Sequence, residues 1–357
     1  MSELFDIYKR GGGNQALTIN KPYNVDIHLT QHGSNWFWSA FCVFIALAMV
    51  AMALMFRKPA NERLFYYTAI APVLFMAINY FTLASNLGWV PIKVKYNHAK
   101  TASEHGHHGT RQVFYSRYIG WFLSFPWPII QASLLGNTPL WQIAFNIGIT
   151  ETYVVVMLFA AMVHTTYKWG YFSLAVSAGF VACISVMTTT RNLVKNAGSN
   201  VMLCFQIYFF IVMFLWSGYP ISFGLSEGGN VMQPDSEGIF YGILDVLLFG
   251  VLPVLFIPVA SSIGFDKLGL NHTVNRHGQD PESSIPKQPA AVPVKPSPPK
   301  DVEDSPARPS EQQRSKKVKK VKKVKRPVQR PSDEEESSAE KANVPSQEGT
   351  PESSGEY

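Results

Sequence analysis

The sequence predicts an all-α protein: a bundle of seven transmembrane helices followed by a disordered cytoplasmic tail. The chain of 357 residues changes sharply in composition, because residues 1–266 are apolar and aromatic whereas residues 267–357 are rich in Pro, Ser and charged side chains. The mean hydropathy of +0.04 averages the two parts and hides this difference. The apolar part also contains seven charge-poor stretches of about 20 residues, the length that a helix needs to cross the hydrocarbon core.

Each stretch is interpreted as a helix, because a membrane-spanning segment must pair every backbone amide internally. The helices together form a predicted membrane domain over residues 36–266, preceded by an extracellular segment, residues 1–35. The predicted helices cover residues 36–56, 65–90, 113–135, 140–163, 170–190, 201–225 and 238–264.

The balance of basic residues does not decide the orientation of the bundle, because the two sets of loops carry similar numbers of them. The cluster of Arg57, Lys58 and Arg63 after the first helix favours a cytoplasmic first loop. This interpretation puts the N-terminus outside and the C-terminus in the cytoplasm.

Three charged residues fall well inside the predicted helices, namely Arg117, Glu151 and Asp245. Charges inside a bilayer are costly and usually mark function. We expect Arg117 and Asp245 to pair across the bundle, because each would be expensive alone. Such a pair either takes part in chemistry or only locks the helices together, and the sequence leaves both possibilities open.

The third predicted helix contains Arg117-Tyr-Ile-Gly120-Trp121-Phe-Leu-Ser124-Phe-Pro126, the sixth contains Trp216-Ser-Gly-Tyr219-Pro220, and the seventh contains Leu244-Asp245-Val-Leu-Leu-Phe249. These motifs in three helices resemble the microbial rhodopsins, a seven-helix family that binds retinal. By this resemblance Arg117 is the family's third-helix arginine and Asp245 its second counterion. The resemblance also implies a pocket, here vestigial, whose residues are Trp121, Trp216, Tyr219, Pro220 and Asp245.

The departures from the family matter more than the matches. Gly120 and Gln131 stand where the pumps carry their proton acceptor and proton donor, and Phe249 stands where they carry the retinal lysine. No predicted helix has a lysine away from its ends, so no Schiff base is expected. We therefore expect no retinal or other covalent cofactor. The pocket aromatics either line a cavity for a non-covalent apolar ligand or pack closely around Phe249.

Longer strings narrow the resemblance to the opsin-related heat-shock membrane proteins of yeasts, which share the missing lysine and a lysine-rich tail. The resemblance implies a fungal plasma-membrane protein, induced by stress, that organises or modulates other membrane proteins such as the proton-pumping ATPase. The strings lie at residues 56–59, 84–89, 95–98, 167–171 and 228–235.

The tail has too little apolar surface to fold. Its basic block, residues 314–330, is predicted to contact anionic lipids of the inner leaflet rather than nucleic acid, because that leaflet is the nearest polyanion to a membrane-anchored tail. The acidic end, residues 332–357, can fold back on this block or repel the leaflet. The predicted lipid-contact residues are Lys316, Lys317, Lys319, Lys320, Lys322, Lys323, Lys325 and Arg326.

The favoured function is therefore that of a non-enzymatic membrane protein with a membrane-protein partner, and a homo-oligomer is compatible with it. One alternative is a light-independent ion or proton channel or transporter, which would use Arg117, Glu151 and Asp245. A ligand-sensing receptor is the third. The histidine-rich loop, residues 104–108, lacks further ligands, so no metal site is expected.

Overall fold

The computed structural model describes residues 13–96, 109–265, 267, 268 and 270. This part of the chain forms a helical bundle, which confirms the predicted fold class. In this part of the chain six helices are individually long and apolar enough to cross a membrane. A seventh, third in chain order, consists of two shorter segments divided at Phe125. We number them α1 (Gln31–Phe56), α2 (Leu64–Ala84), α3 (Tyr115–Ser124 with Pro126–Leu134), α4 (Leu140–Met162), α5 (Lys168–Lys195), α6 (Ser199–Gly228) and α7 (Pro234–Ile263).

The division of α3 comes from Pro126 and Pro128, because proline has no N–H to donate to the preceding turn. Phe125 keeps helical dihedral angles (φ −60°, ψ −29°), and its N–H donates to the Trp121 carbonyl at 2.8 Å. The helix therefore continues through the division as one span.

Two helix ends differ from the predicted bounds. Helix α1 begins at Gln31, because the Thr30 side chain accepts a hydrogen bond from the His32 N–H at 3.2 Å and caps it. Residues 31–35 therefore belong to the bundle. Helix α2 ends at Ala84 rather than near residue 90, since Asn86 and Gly88 have positive φ values of 56° and 70°.

A β-hairpin that the sequence analysis did not predict follows α2. Strand β1 (Val90–Lys93) pairs antiparallel with strand β2 (Thr110–Val113), and Ile27 bridges to Arg111 beside them. The two strands are short, and the long interval between them gives no turn signal. A single turn of helix (Ala16–Ile19) and a 3₁₀ turn (Ala60–Glu62) complete the described elements.

Three helices contain π-helical segments: Val186–Thr190 in α5, Gly224–Gly228 in α6 and Val246–Val251 in α7. Segments of this kind are frequent at functional sites of membrane and soluble helices. The α7 segment begins directly after Asp245 and contains Phe249, so it sets the directions of the side chains at the centre of the bundle.

The bundle has two ends, which we name by their neighbouring elements. The hairpin end holds the start of α1, the β-hairpin and the start of α7, and the tail end holds the end of α7. Between them the outer surface exposes large apolar side chains such as Phe210 and Phe214, which are 71% and 70% exposed. Apolar surface on this scale marks a membrane-facing protein.

Candidate functional site

The buried polar side chains lie in layers between the hairpin end and the tail end. The central layer is built on Asp245, which is fully buried in α7. Its carboxylate accepts hydrogen bonds from the Tyr80 hydroxyl at 2.7 Å, the Trp121 indole at 2.9 Å and the Tyr219 hydroxyl at 2.7 Å. Three neutral donors from α2, α3 and α6 thus hold this carboxylate in place.

The expected pair between Arg117 and Asp245 is wrong. Arg117 donates to Glu237 and lies 3.5 Å from the Glu227 carboxylate, so its partners come from α7 and α6 nearer the hairpin end. The reason is geometric. Helical side chains lean toward the N-terminus of their own helix, which for α3 is the hairpin end. Glu237 lies two turns before Asp245 on α7, at the level that Arg117 reaches.

A charged cluster closes the hairpin end of the bundle. Its four members, Arg111, Arg117, Glu227 and Glu237, are each at most 3% exposed. Arg111 of strand β2 donates to Glu237 at 2.5 Å and also to the Asn230 side chain and the Met232 carbonyl, both at 2.7 Å. Arg111 therefore ties the hairpin to the loop between α6 and α7.

Further side chains from neighbouring helices complete the partners of this cluster. The Tyr118 hydroxyl donates to Glu227 at 3.2 Å, and the Lys168 amine donates to the Glu227 carbonyl at 2.5 Å. The Arg117 guanidinium also lies over the Tyr241 ring, 4.7 Å from its centroid. Each carboxylate thus meets several donors, which offsets the cost of burying charge.

Sequence reasoning missed Glu227 and Glu237, because it ended the sixth helix at residue 225 and began the seventh at residue 238. The structure extends α6 by its π-helical segment and begins α7 at Pro234. A signal was available, since a proline followed by Asp235 and Glu237 is typical of a helix start. Arg111 could not be assigned without the hairpin.

An aromatic layer lies on the tail-end side of Asp245. Phe249 is fully buried one turn after Asp245, and its ring centroid lies 5.1 Å from that of Phe125, also fully buried. Phe125 further contacts Trp216 at 5.5 Å and Tyr219 at 5.1 Å. The edge-to-face and tilted packing of these rings fills the centre of the bundle.

Between the aromatic layer and the tail end, the buried polar contacts around Gln131 involve neutral side chains. Gln131 accepts from the Tyr208 hydroxyl at 2.6 Å and donates to Thr68 at 3.3 Å. Glu151 lies apart from these layers on α4. Its two carboxylate oxygens are shielded from solvent and have no hydrogen-bond partner among the described residues.

An apolar cavity borders the aromatic layer. It lies between α4, α5 and α6, has a volume of about 320 Å³, and is lined by Tyr153, Trp216 and Pro220 among others. Among the lysines that the structure describes, those in membrane helices lie only at helix ends, Lys168 at the start of α5 and Lys195 at its end.

Comparison with known proteins agrees with this geometry. A model of bacteriorhodopsin-like proteins matches residues 31–256, from the first residue of α1 into α7. The chain belongs to the bacteriorhodopsin-like family. The match ends beyond Phe249, so it includes the aromatic layer of this bacteriorhodopsin-like chain.

Two curated proteins and one solved structure illustrate the likeness. Protein YRO2 of Saccharomyces cerevisiae is 55% identical over 76% of this chain and 78% of its own. The 30 kDa heat shock protein of the same yeast is 33% identical over 79% of this chain and 90% of its own. The light-driven proton pump LR (Mac) of Leptosphaeria maculans has a similar fold, with a TM-score of 0.61 and 26% identity over 68% of this chain and 99% of the pump.

Several predicted features fall outside the described residues. They are the histidine-rich loop at residues 104–108, the basic block at residues 314–330 with its lipid-contact residues, and the acidic end at residues 332–357. These remain predictions from the sequence.

Proposed function

We propose that this bacteriorhodopsin-like protein works without a chromophore, as a non-enzymatic component of the plasma membrane with its N-terminus outside. The observation that carries this proposal is that Phe249 is fully buried and packed against Phe125. The sequence resemblance assigns this position to the family's lysine. A buried ring there offers no amine for a Schiff base. It also takes up space that a polyene would need.

The proposed role is to organise or modulate other membrane proteins under stress, the proton-pumping ATPase among them. The name of the yeast 30 kDa heat shock protein supports the stress link. The yeast-type strings of the sequence support it too, since they run through loops as well as helices. A loop is a surface that a partner can contact.

Light-independent transport is the alternative, and the aromatic layer argues against it. A proton or ion that moved from Asp245 toward Gln131 would have to pass Phe125 and Phe249, which are both fully buried. Neither ring can carry a proton. The third candidate, a ligand-sensing receptor, is the only one that would use the cavity beside Trp216.

The proposed role of the tail is electrostatic. The basic block at residues 314–330 would hold the tail at the anionic inner leaflet, with up to about 1 kcal/mol for each basic residue near the surface. The corresponding peptide should bind vesicles that contain phosphatidylserine, and added salt should weaken the binding steeply. A peptide of the same length in which the basic residues are changed to glutamine is the control. Equal binding to neutral vesicles would contradict the electrostatic account.

Retinal binding gives the direct test of the chromophore-free proposal. Purified protein mixed with all-trans retinal should develop no red-shifted visible band. The Leptosphaeria pump, treated in parallel, is the positive control. A stable band that hydroxylamine removes would overturn the proposal, because it would require a Schiff base that the described helices do not provide.

The partner proposal needs its own test. Proximity labelling from the full-length protein, before and after heat stress, should enrich a defined set of plasma-membrane proteins, and deletion of residues 278–357 should change that set while the protein stays in the membrane. The same profile with and without the tail, or no enrichment over an unrelated seven-helix protein, would count against an organising role.

A further inference from the structure

A groove on the outer surface of the bundle, away from the aromatic layer, contains polar side chains that have no hydrogen-bond partner among the described residues. It lies between α2 and α3 and has a volume of about 350 Å³. Its apolar rim includes Ile78, Ile119 and Leu123, which are 67%, 52% and 42% exposed. Its floor includes Asn79 and Ser116, which are only 4% and 8% exposed.

The floor of this groove is polar and lacks partners. Both polar atoms of the Asn79 side chain and the Ser116 hydroxyl are buried without a hydrogen-bond partner in the part of the chain that the structure describes. An amide and a hydroxyl offer donors and acceptors together. Leaving such groups unpaired in hydrocarbon is costly, so something outside the fold is expected to pair with them.

Two glycines leave room for the polar side chains of the groove floor. A Cβ atom at Gly120 would lie 2.5 Å from Cγ of Asn79, and one at Gly88 would lie 2.5 Å from Cβ of Ser116. The absence of side chains at these two positions is what lets Asn79 and Ser116 occupy the seam between α2 and α3. The backbone is therefore adapted to keep these polar groups there.

The lining also restricts the ligand. None of the residues that line the groove carries a charge, so a phosphate headgroup would find no counterion in it. The polar floor begins near the membrane surface, since Ser116 is the second residue of α3 and Asn79 lies within two turns of the end of α2. Toward Phe75 and Leu123 the lining is apolar.

We propose that this groove binds a membrane lipid whose only polar group is a hydroxyl, with the shape of a sterol. The hydroxyl would donate to the Asn79 carbonyl oxygen or accept from its amide, and it would share Ser116. The rigid apolar body would lie along Ile78, Ile119 and Leu123. A diacylglycerol also presents a hydroxyl, but it carries two ester groups besides it. The lining beyond the polar floor, toward Phe75 and Leu123, is apolar, which favours the sterol.

The test uses the full-length protein in nanodiscs with a photoreactive, alkyne-tagged sterol. Cross-links should map to residues 75–88 and 115–123, and unlabelled sterol should compete for them. Asn79→Leu and Ser116→Ala should each reduce this labelling at least fivefold, because they remove the hydroxyl's partners. Ile119→Trp should reduce it to a similar extent by filling the groove. It is independent of the polar floor, so it keeps the test valid if Asn79→Leu fails to fold.

Thr152→Val is the control. Like Ser116→Ala it removes a hydroxyl from a membrane helix, but Thr152 lies on α4, outside the groove, and bonds to its own backbone. It should leave the labelling unchanged. Labelling that persists in Asn79→Leu and Ser116→Ala, or that maps to other helices, would overturn the proposal. Equal competition by diacylglycerol would overturn the preference for a sterol, and a groove that only water enters would give no specific cross-link at all.

Discussion

The two halves of the bundle bury very different side chains. In the hairpin-end half, two arginines and two glutamates are buried together and bond to one another. In the tail-end half, the corresponding interior is made of aromatic rings and neutral amide and hydroxyl groups around Phe249 and Gln131. Asp245 lies at the boundary, bonded only to neutral donors.

Under the chromophore-free function proposed above, this difference explains how an opsin fold could lose its pigment and remain folded. A buried ion network is difficult to dismantle one residue at a time, because removing one charge leaves another unpaired. A pocket for an apolar ligand is easily filled, because close-packed rings can replace the ligand's contacts. The proposal therefore expects the charged half to resist substitution more strongly than the half around Phe249.

The largest loss of stability is expected from a substitution in the charged cluster of the hairpin-end half. Glu237→Gln should lower the free energy of unfolding by about 3–5 kcal/mol, because Arg111 would lose its carboxylate partner and Arg117 would keep only Glu227. Denaturant or thermal unfolding in detergent measures this. Glu62→Gln is the control, since its pair with Lys58 is about half exposed, and we expect a loss below about 1 kcal/mol there. Equal effects of the two changes would mean that the buried network is hydrated.

The second effect breaks the aromatic half. Phe249→Ala should cost about 3 kcal/mol, because it leaves a cavity between fully buried rings. Leu247→Ala, two residues away on the same helix and 40% exposed, should cost much less. The contrary result would be that Phe249→Ala leaves the free energy of unfolding unchanged and lets the protein bind retinal or another apolar molecule. The aromatic layer would then be able to serve as a ligand site.

These halves also differ in how far the sequence could predict them. The motifs of the third and sixth helices contain Trp121 and Tyr219, two of the three side chains that bond to Asp245 in the structure, because these motifs lie in the middle of apolar helices. The charged cluster was missed, because Glu227 and Glu237 sit at helix ends and Arg111 on a strand, where apolar patterning is weakest. The Arg117 partner was wrong for the same reason, since its true partners had been assigned to a loop.

A third, smaller effect sharpens the boundary between the halves. Gly120→Ala should cost about 1–3 kcal/mol, because the new methyl group would meet the Asn79 side chain and force it to move. Gly148→Ala on α4 meets no described atom within 4 Å and should instead gain up to about 1 kcal/mol of helix stability. Opposite signs for two helical glycines would confirm that Asn79 takes the space beside position 120. The same result would mean that an aspartate introduced at position 120 needs a second change at Asn79 to fit.

The smallest expected effect concerns Asp245 itself. Asp245→Asn should cost only about 1 kcal/mol, because the amide oxygen can still accept from Trp121 and Tyr219 while its NH₂ group faces the Tyr80 hydroxyl, which can accept. Arg117 keeps both glutamates in this variant, so no buried charge is left without a partner. Asp245→Leu is the contrast. It leaves all three donors unpaired and should cost clearly more than the asparagine change in the same unfolding measurement. A loss from Asp245→Asn as large as that from Glu237→Gln would mean that Asp245 does balance Arg117 electrostatically, and the separation of the two halves would then fail.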